Sequence, residues 1–262
     1  MNSQLDLTFS IVAYKNYNQI INAVNSINKH VKKYSKEIYV VDNTEPEFAT
    51  KFKESKAKLA NLNNVILITN NKNLGFGKAN NIALNIARGE YFVICNPDIL
   101  LIEDSFNQII PYFERNTTVG GIIPKLVDRQ YRIQNVYRRK ITLWDIFVRY
   151  IHPFGAFNKR RDYHTMQDMD YNKPFEVPFG QGSFLVIRTT LMKKLNGFDD
   201  RFFMYMEDAD LCKRLNKISS LEYFPNTSVI HLWQKGSHKN FRLLRWHINS
   251  MIKYFKKWGI NG

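Results

Sequence analysis

Runs of β-branched and aromatic residues alternate with helical segments through the first half of the chain. The runs Leu7–Tyr14 and Glu37–Asn43 have the composition of strands. Between them, Ile20, Val24 and Ile27 recur at the spacing of one helix face. This order predicts a strand–helix–strand unit with parallel strands.

The same alternation continues and predicts an α/β fold, with a mostly parallel central sheet flanked by helices. The next predicted elements are a helix at Glu47–Ala60, a strand at Val65–Thr69, a helix at Lys78–Arg88, a strand at Tyr91–Cys95, a helix near Glu103–Arg115 and a strand at Val119–Ile123. The pattern is then irregular as far as Lys173. Beyond it we predict a strand at Gly182–Arg188, a helix at Glu207–Asn216, a strand at Ser228–Trp233 and a final helix at Asn240–Trp258.

The composition fits one domain of ordinary size. The chain has 262 residues, of which 44% are hydrophobic, enough for one large core. The N-terminus lacks the cationic start and apolar stretch of a signal peptide, and no apolar run reaches the roughly 18 residues that span a bilayer. Cys95 and Cys212 lie in apolar segments, which argues against a disulfide framework or a cysteine-rich zinc site. We therefore expect a cytoplasmic protein with only peripheral membrane contact.

Basic residues give the chain a formal net charge of +15. This charge favours phosphates, nucleic acid or an anionic membrane surface as partners and does not choose among them. The segment Arg129–Arg161 has nine Lys or Arg residues and one acid, and Lys239–Lys257 has six basic residues and no acid. The second segment has the spacing of an amphipathic helix, which could bind a membrane surface, pack its apolar stripe on the domain, or do both.

Two carboxylates follow predicted strands of the parallel sheet. Asp42 ends the second strand, and Asp98 comes shortly after the strand at Tyr91–Cys95. The carboxyl ends of parallel strands share one rim of the sheet, where ligands bind. The alternatives are a helix N-cap for Asp42 and a structural turn for Asp98, because Asn96-Pro97 commonly begins a turn.

Five stretches resemble, in order, the inverting glycosyltransferases of family 2. They are FSIVAY in the first strand, VVDN in the second, NKNLGFGKANNIAL at Asn71–Leu84, CNPD at Cys95–Asp98 and FFMYMEDADLCKRL at Phe202–Leu215. Together they resemble the rhamnosyltransferase-like branch of bacterial polysaccharide and O-antigen biosynthesis. The resemblance implies a GT-A fold, Rossmann-like, in a domain at 1–235 with a nucleotide-sugar-binding half at 1–125 and an acceptor and catalytic half at 126–235. A basic C-terminal helix at 236–262 would follow.

The resemblance also implies which residues bind the nucleotide-sugar donor. Asp42 would accept hydrogen bonds from the base or ribose, and the loop before the helix at Lys78–Arg88 would present N–H groups to the diphosphate. Asp98 would hold Mg²⁺ or Mn²⁺, with Asn96 standing where many relatives have an acid. The implied donor contacts are Ala13, Asp42, Asn43, Asn73, Gly75, Phe76, Gly77, Asn80, Asn96, Asp98 and Gly182.

The acidic cluster at Glu207, Asp208 and Asp210 has two explanations. Acids in the first turn of a helix are stabilised by its dipole, so simple capping accounts for them. The resemblance instead makes Asp208 the general base that deprotonates an acceptor hydroxyl, with Glu207 beside it in the catalytic site. Inversion needs only one such base.

The same resemblance assigns residues to the leaving group and the sugar pocket. His231 would face the diphosphate or its metal, although a packed histidine is the plain alternative. Lys235 and His238 would neutralise the diphosphate, and Gly180–Ser183 would form the pocket floor. Gln181 departs from the small residue often found there.

Three functions remain open at this point. The first is an inverting transferase that moves L-rhamnose from a dTDP donor, with UDP as the other candidate nucleotide, onto a lipid-linked or surface-polysaccharide acceptor at the inner membrane face. A sugar-phosphate nucleotidyltransferase is the second, and the position of the glycines after the third strand rather than the first argues against it. A nucleic-acid-binding domain would explain the charge but not the acidic motifs, so we expect no nucleic-acid partner.

Overall fold

The computed structural model describes residues 5–62, 64–144, 158–232 and 241–260. The strands in these ranges are β1 (Leu7–Ala13), β2 (Lys36–Asp42), β3 (Val65–Thr69), β4 (Tyr91–Cys95), β5 (Ile99–Leu101), β6 (Val119–Val127), β7 (Tyr137–Arg138), β8 (Phe175–Glu176), β9 (Phe179–Gly180), β10 (Phe184–Arg188) and β11 (Ser220–His231). The helices are α1 (Tyr17–His30), α2 (Lys53–Ala60), α3 (Phe76–Ile86), α4 (Phe106–Arg115), α5 (Asn158–His164), α6 (Thr189–Lys194), α7 (Glu207–Leu215) and α8 (Phe241–Trp258).

A nine-stranded mixed sheet runs through the middle of the described structure. Its order is β3-β2-β1-β4-β10-β6-β11-β5, with β8 added at β11, and β7 pairs with β9 in a separate two-stranded sheet. The first four strands are parallel, as predicted. β10 runs antiparallel to both of its neighbours, β4 and β6. This insertion brings the chain that precedes β10 to the carboxyl end of β4.

Helices cover both faces of the sheet, which explains the continuous apolar runs of its central strands. β4 is buried at every position, and on β1 the aromatic ring of Phe9 contacts that of Phe106 edge-on, with centroids 5.5 Å apart. The apolar stripe of α1, including Ile20, Val24 and Ile27, is fully buried. The strand–helix–strand unit expected from the spacing is confirmed.

Several element boundaries differ from the predicted ones. The helix expected at Glu47–Ala60 starts with two 3₁₀ turns, and its α-helical part begins only at Lys53. The strand expected at Ser228–Trp233 is the second half of β11, whose pairing with β6 shifts register between Phe224 and Ser228. A bulge there breaks the alternation of side chains that would have shown the full strand in the sequence.

The C-terminal helix α8 packs one face on the domain. Tyr254 and Ser250 are buried, and the hydroxyl of Ser250 donates to the carbonyl of Met204 (2.8 Å). The ring of Trp246 lies 4.6 Å from that of Phe203. One of the two roles considered for the helix, packing on the domain, is thus present. Throughout the described ranges, every helix is too short or too polar to cross a bilayer.

Candidate active site

The carboxyl ends of β1 and β2 form one part of a rim where the expected donor contacts lie. Ala13 ends β1 and pairs with Asp42 at the end of β2. The carbonyl of Ala13 accepts a hydrogen bond from the N–H of Asn43 (2.9 Å), and Asn43 donates from Nδ2 to the carbonyl of Gly75 (3.0 Å). These bonds tie the two strands to the loop that precedes α3.

Asp42 is fully buried, and its carboxylate is engaged inside the protein. Oδ1 accepts hydrogen bonds from the hydroxyl of Tyr17 (2.6 Å) and the N–H of Thr44 (2.9 Å). Oδ2 pairs with the ammonium group of Lys56 (2.6 Å). Burial opposes the charged form, but these hydrogen bonds, led by that of Lys56, outweigh it and hold the pKa of Asp42 below its ordinary value. The carboxylate expected to contact the base or ribose is therefore already paired with groups of the protein.

The loop before α3 accepts only glycine at residue 75. Gly75 has a φ of +83°, and a Cβ there would lie 2.1 Å from the carbonyl oxygen of Phe203. The N–H of Gly75 donates to Oδ1 of Asn73 (3.0 Å), and the N–H of Phe76 donates to that same Phe203 carbonyl (3.1 Å). The loop therefore uses both N–H groups to hold its own shape and to contact the segment at 198–206.

Two further expected donor contacts serve as packing residues. Asn80 is fully buried, where it accepts a hydrogen bond from the hydroxyl of Ser10 (2.7 Å) and donates to the carbonyl of Phe76 (3.0 Å). At Gly77, a Cβ would come within 2.9 Å of the Cβ of Phe198. Both residues seat α3 against its neighbours and so position the loop indirectly.

Asp98 and His231 meet at another part of the rim. β11 pairs antiparallel with β5 and sets His231 opposite Ile99. Nε2 of His231 lies 3.6 Å from Oδ2 of Asp98, which is longer than a hydrogen bond. The Oδ1 atoms of Asp98 and of Asn96 are buried and have no hydrogen-bond partner among the described residues. Orphaned oxygens beside an imidazole fit a divalent cation, because such ions take oxygen and nitrogen ligands.

Gln134 fixes the orientation of His231. Its Nε2 donates to the backbone carbonyl of His231 (2.9 Å), so its Oε1, 2.8 Å from the imidazole Nδ1, is an acceptor. Nδ1 must then carry the proton, which leaves the lone pair of Nε2 directed toward Asp98. Burial lowers the pKa of His231, partly offset by the charge of Asp98, and so favours the neutral ring.

The segment before β10 joins this pair to the acidic helix. The N–H of Asn96 donates to the carbonyl of Ser183 (2.8 Å), and the N–H of Gly182 donates to Oδ2 of Asp208 (3.2 Å). A Cβ on Gly182 would lie 3.2 Å from the Cβ of Asp208, so glycine permits this approach. Two adjacent residues thus connect the candidate base with the loop that carries Asp98.

Glu207 and Asp208 form an adjacent pair of acids at the start of α7. Glu207 is buried, and its Oε2 has no hydrogen-bond partner among the described residues. Burial, with a further contribution from the charge of Asp208, raises the pKa of Glu207 to about 8. Burial also raises the pKa of Asp208, although the N–H groups of Gly182 and Ala209 oppose this by stabilising its anion. The raised pKa of Glu207 favours its protonated form near neutral pH, and the N–H groups of Gly182 and Ala209 favour the anion of Asp208, the form able to accept a proton.

The backbone just before this pair is strained. Tyr205 and Met206 have φ values of +68° and +66°, in the left-handed region that side chains disfavour. Each such residue costs on the order of 1–3 kcal/mol, and strain of this kind concentrates at functional sites. Met206 makes no side-chain capping bond to α7, so the chain enters the helix by this turn rather than through a polar cap.

Asp210, the third member of the acidic cluster, anchors α8. It is fully buried, and its carboxylate contacts Arg214 (2.7 Å), Lys257 (2.5 Å) and the indole N–H of Trp258 (2.8 Å). This role differs from simple capping of the first turn. The acidic cluster therefore consists of two parts: the adjacent pair Glu207 and Asp208, and Asp210, which anchors α8.

Several residues that shape the site were missed from the sequence. They are Gln134, Tyr17, Lys56, Trp258 and Phe203. Each acts on a partner distant in the chain, so its role could not be read from neighbouring residues, although Phe203 lies in the quoted stretch at Phe202–Leu215. Lys235 and His238, expected near the diphosphate, lie outside the described residues. Gln181 is described, and its N–H donates to the carbonyl of Val136 (3.3 Å).

Comparison with known sequences points to rhamnosyltransferases. The chain is 28% identical over 192 residues to the rhamnosyltransferase WbbL of Escherichia coli K12, covering 70% of each protein. It is 29% identical over 182 residues to the N-acetylglucosaminyl-diphospho-decaprenol L-rhamnosyltransferase of Mycobacterium tuberculosis, covering 64% of this chain and 59% of the relative.

Solved structures show the same fold at low identity. GalNAc-T7 with UDP, GalNAc and Mn²⁺ matches 90% of this chain and 45% of its own, with a TM-score of 0.67 and 18% identity. The mannosyltransferase PcManGT of Pyrobaculum calidifontis, in complex with GDP-Man and Mn²⁺, matches 97% of this chain and 65% of its own, with a TM-score of 0.63 and 17% identity. These likenesses show a GT-A fold. The family model described as "Glycosyl transferase family 2" matches residues 8–195, more than half of the sequence, and the chain therefore belongs to glycosyltransferase family 2.

Proposed function

We propose that the chain is an inverting glycosyltransferase that moves L-rhamnose from dTDP-rhamnose to a lipid-linked or surface-polysaccharide acceptor at the inner face of the cell membrane. Two rhamnosyltransferase relatives support the choice of sugar, and the diphospho-decaprenol in the name of the mycobacterial one supports a lipid-linked acceptor. UDP is the alternative donor nucleotide. We also propose that the glycosyltransferase domain spans 1–235 and that the basic C-terminal helix occupies 236–262.

One observation carries this proposal: Gly182 and Ser183 hold the candidate base and the Asp98 loop side by side. Gly182 contacts Asp208, and Ser183 contacts Asn96. A transferase needs a proton acceptor close to the bond that breaks between sugar and diphosphate. This segment supports the proposal because it brings the candidate base close to the loop of Asp98, the residue expected on the diphosphate side.

Asp208 takes the acceptor proton in the proposed reaction. The acceptor hydroxyl attacks the anomeric carbon, its proton passes to Asp208, and the bond from that carbon to the diphosphate oxygen breaks. The pKa of Asp208, raised by burial, makes it a stronger base than an exposed aspartate. Glu207, with a pKa of about 8, stays neutral and so does not compete for the acceptor proton.

Asp98 and His231 are the residues that would hold a divalent cation. The structural neighbours GalNAc-T7 and PcManGT were solved with Mn²⁺, which supports Mn²⁺ or Mg²⁺ here. A bound cation neutralises charge that develops on the leaving diphosphate. The contact of Gln134 with Nδ1 and the 3.6 Å separation of Nε2 from the Asp98 carboxylate support this assignment, because both groups would then face the same cation.

A donor panel tests the proposal directly. The protein is incubated with Mg²⁺ or Mn²⁺ and dTDP-rhamnose, UDP- and GDP-sugars, and the free nucleoside diphosphate is measured. We expect slow hydrolysis of dTDP-rhamnose and faster release when a GlcNAc-diphospho-lipid acceptor is added. Release of pyrophosphate from a nucleoside triphosphate and a sugar phosphate would favour a nucleotidyltransferase. Turnover of none of the nucleotide sugars would contradict the proposal.

Matched variants test the role of the base. Asp208→Asn keeps the shape and removes the proton acceptor, so transfer to the acceptor should fall by about 10²- to 10⁴-fold with little change in donor affinity. Glu207→Gln should be milder, since Glu207 is neutral near pH 7. The reverse order would make Glu207 the base. Normal transfer by Asp208→Asn, together with a lower melting temperature, would return Asp208 to a structural role.

A further inference from the structure

The outward face of α8 carries a band of exposed apolar side chains. Phe241, Leu244, Ile248 and Ile252 are 82%, 39%, 44% and 50% exposed. On a helix with about 3.6 residues per turn, these four fall within an arc of about 80°. The buried Ser250 lies on the other side of the helix, which packs on the domain. The exposed band is therefore not the stripe that docks α8.

Basic side chains of α8 border this band. Arg245 and Lys256 are exposed and occupy the adjoining arc, together with Arg242. The sequence from 241 to 260 contains no Asp or Glu. Close to the C-terminal end of the helix, the N–H of Leu143 lies 3.4 Å from the carbonyl of Ile260, and their side chains are 48% and 62% exposed.

We propose that this surface, formed by the band on α8 and its basic border, docks on an anionic lipid bilayer. The inference rests on the proposed function for its purpose, because a lipid-linked acceptor lies at such a surface. Aliphatic and aromatic side chains enter the boundary between headgroups and acyl chains, while arginine and lysine contact the lipid phosphates. Both halves of the surface are used by this one partner.

Other occupants fit less well. A second copy of this chain would bring two basic surfaces together and add to the repulsion of a protein with net charge +15. A nucleic acid would use the arginines and lysines but leave the exposed apolar band in water. Only a partner that is both apolar and anionic satisfies the whole surface.

Docking in this way would set the height of the active site above the membrane. The inner face of α8 contacts the segment before α7 through Ser250 and Met204, and Lys257 contacts Asp210. The thickness of one helix, about 10–12 Å, then separates the lipid surface from the helix that begins with Glu207 and Asp208. That distance suits a sugar attached to a lipid through a diphosphate.

Vesicle co-sedimentation of the full chain tests the surface without any measurement of activity. The protein is mixed at low salt with vesicles of phosphatidylglycerol and phosphatidylcholine, or of phosphatidylcholine alone. We expect binding to the anionic vesicles that weakens as salt is added. Arg245→Gln with Lys256→Gln should lower the partition coefficient by about fivefold per residue. Ile248→Gln with Ile252→Gln should lower it by about tenfold or more.

Matched controls carry the same changes on other surfaces. Lys53→Gln with Lys58→Gln removes two exposed charges from α2, and Ile86→Gln with Ile218→Gln removes two similarly exposed isoleucines. The isoleucine control should bind anionic vesicles within a factor of about two of the wild type. The lysine control should bind only slightly more weakly, because it lowers the net charge of the protein without changing the proposed surface. Equal losses in the α8 pairs and the controls would overturn the proposal, as would equal binding to neutral vesicles.

Two additional measurements separate the possible failures. Sedimentation velocity would reveal a dimer that the Ile248→Gln, Ile252→Gln pair dissociates, and such a dimer without vesicle binding would overturn the membrane assignment. Hydrolysis of free donor should be the same in all four pairs. Vesicle binding without donor turnover would refute the proposed function and leave the surface intact. Donor turnover without vesicle binding would refute the membrane surface and leave the proposed function intact.

Discussion

Trp258 of α8 donates a hydrogen bond from its indole Nε1 to Oδ1 of Asp210 in α7, over 2.8 Å. The acceptor is fully buried and lies two residues after the candidate base Asp208. Lys257 contacts the same carboxylate and also reaches Asp199, at 2.8 Å. The C-terminal helix is therefore bonded to the helix that begins with Glu207 and Asp208.

Loss of this bond should destabilise the fold. Trp258→Phe keeps the aromatic ring and removes the donor to a charged acceptor, which typically costs about 1.5–3 kcal/mol. Urea denaturation should show that decrease in the free energy of unfolding. Phe241→Leu, at an exposed position of the same helix, is the control and should stay within about 0.5 kcal/mol of wild type. Equal stability of the two variants would show that the hydrogen bond of Trp258 contributes nothing measurable to the folded state.

Gln134 should tune metal affinity without contacting the metal. Gln134→Ala frees the imidazole of His231 to rotate or change tautomer, and loss of such a partner typically lowers affinity by about 10- to 100-fold. Mn²⁺ binding is measured by titration calorimetry or electron paramagnetic resonance, so activity is not needed. Asp98→Ala should abolish binding at the site, and the exposed Gln108→Ala should have no effect. Undiminished binding by Asp98→Ala would place the cation elsewhere.

Glu207 should make stability depend on pH. Its pKa is about 8 in the folded protein against an ordinary 4.5, so between these values the folded state holds a proton that the unfolded chain has released. Stability should therefore fall as pH rises from about 4.5 to about 8 and then level off. Glu207→Gln lacks this slope, so its advantage over wild type should grow with pH. Denaturation at several pH values measures it, with the exposed Glu54→Gln expected to follow wild type.

A pair of glycines separates backbone strain from steric contact. Gly75 and Gly259 have φ values of +83° and +80°, but a Cβ would meet the Phe203 carbonyl at 2.1 Å in the first and nothing within 4 Å in the second. Gly259→Ala should cost at most about 1–2 kcal/mol, the price of the left-handed backbone. Gly75→Ala should cost clearly more and should also lower donor affinity. Equal losses in thermal denaturation would show that the loop yields to the added methyl group.

Local patterns predicted the parts of the fold that depend on nearby residues. The periodicity of Ile20, Val24 and Ile27 identified α1, and the apolar run at Tyr91–Cys95 identified β4. The antiparallel insertion of β10 was not predictable, because its pairing with β4 joins residues about ninety positions apart and leaves no mark on either segment. The long β11 was hidden by its own bulge.

In the candidate site, too, features set by nearby residues could be predicted and features set by distant residues could not. Asp98 and Asp208 could be named from their motifs, since each lies in a short recognisable stretch. The residues that surround the candidate site could not be predicted from these motifs, because they come from distant chain segments. Gln134 lies 97 residues from His231, and Gly182 lies 26 residues from Asp208. The engagement of Asp42 by Lys56 was likewise invisible, since the two residues stand on separate elements.

The close contact between Gly75 and Phe203 connects the expected donor loop with α8. The donor-side loop rests on the Phe203 carbonyl, and the ring of Phe203 rests on Trp246 of α8. If donor binding displaced this loop, these contacts would carry the displacement to the helix that we assign to the membrane. Thermodynamic reciprocity then applies: whatever factor the lipid surface applies to donor affinity, the donor applies to affinity for the lipid surface. If that factor strengthens binding, the enzyme would remain on the membrane longest while it is loaded with donor. If it weakens binding, donor would shorten the time on the membrane.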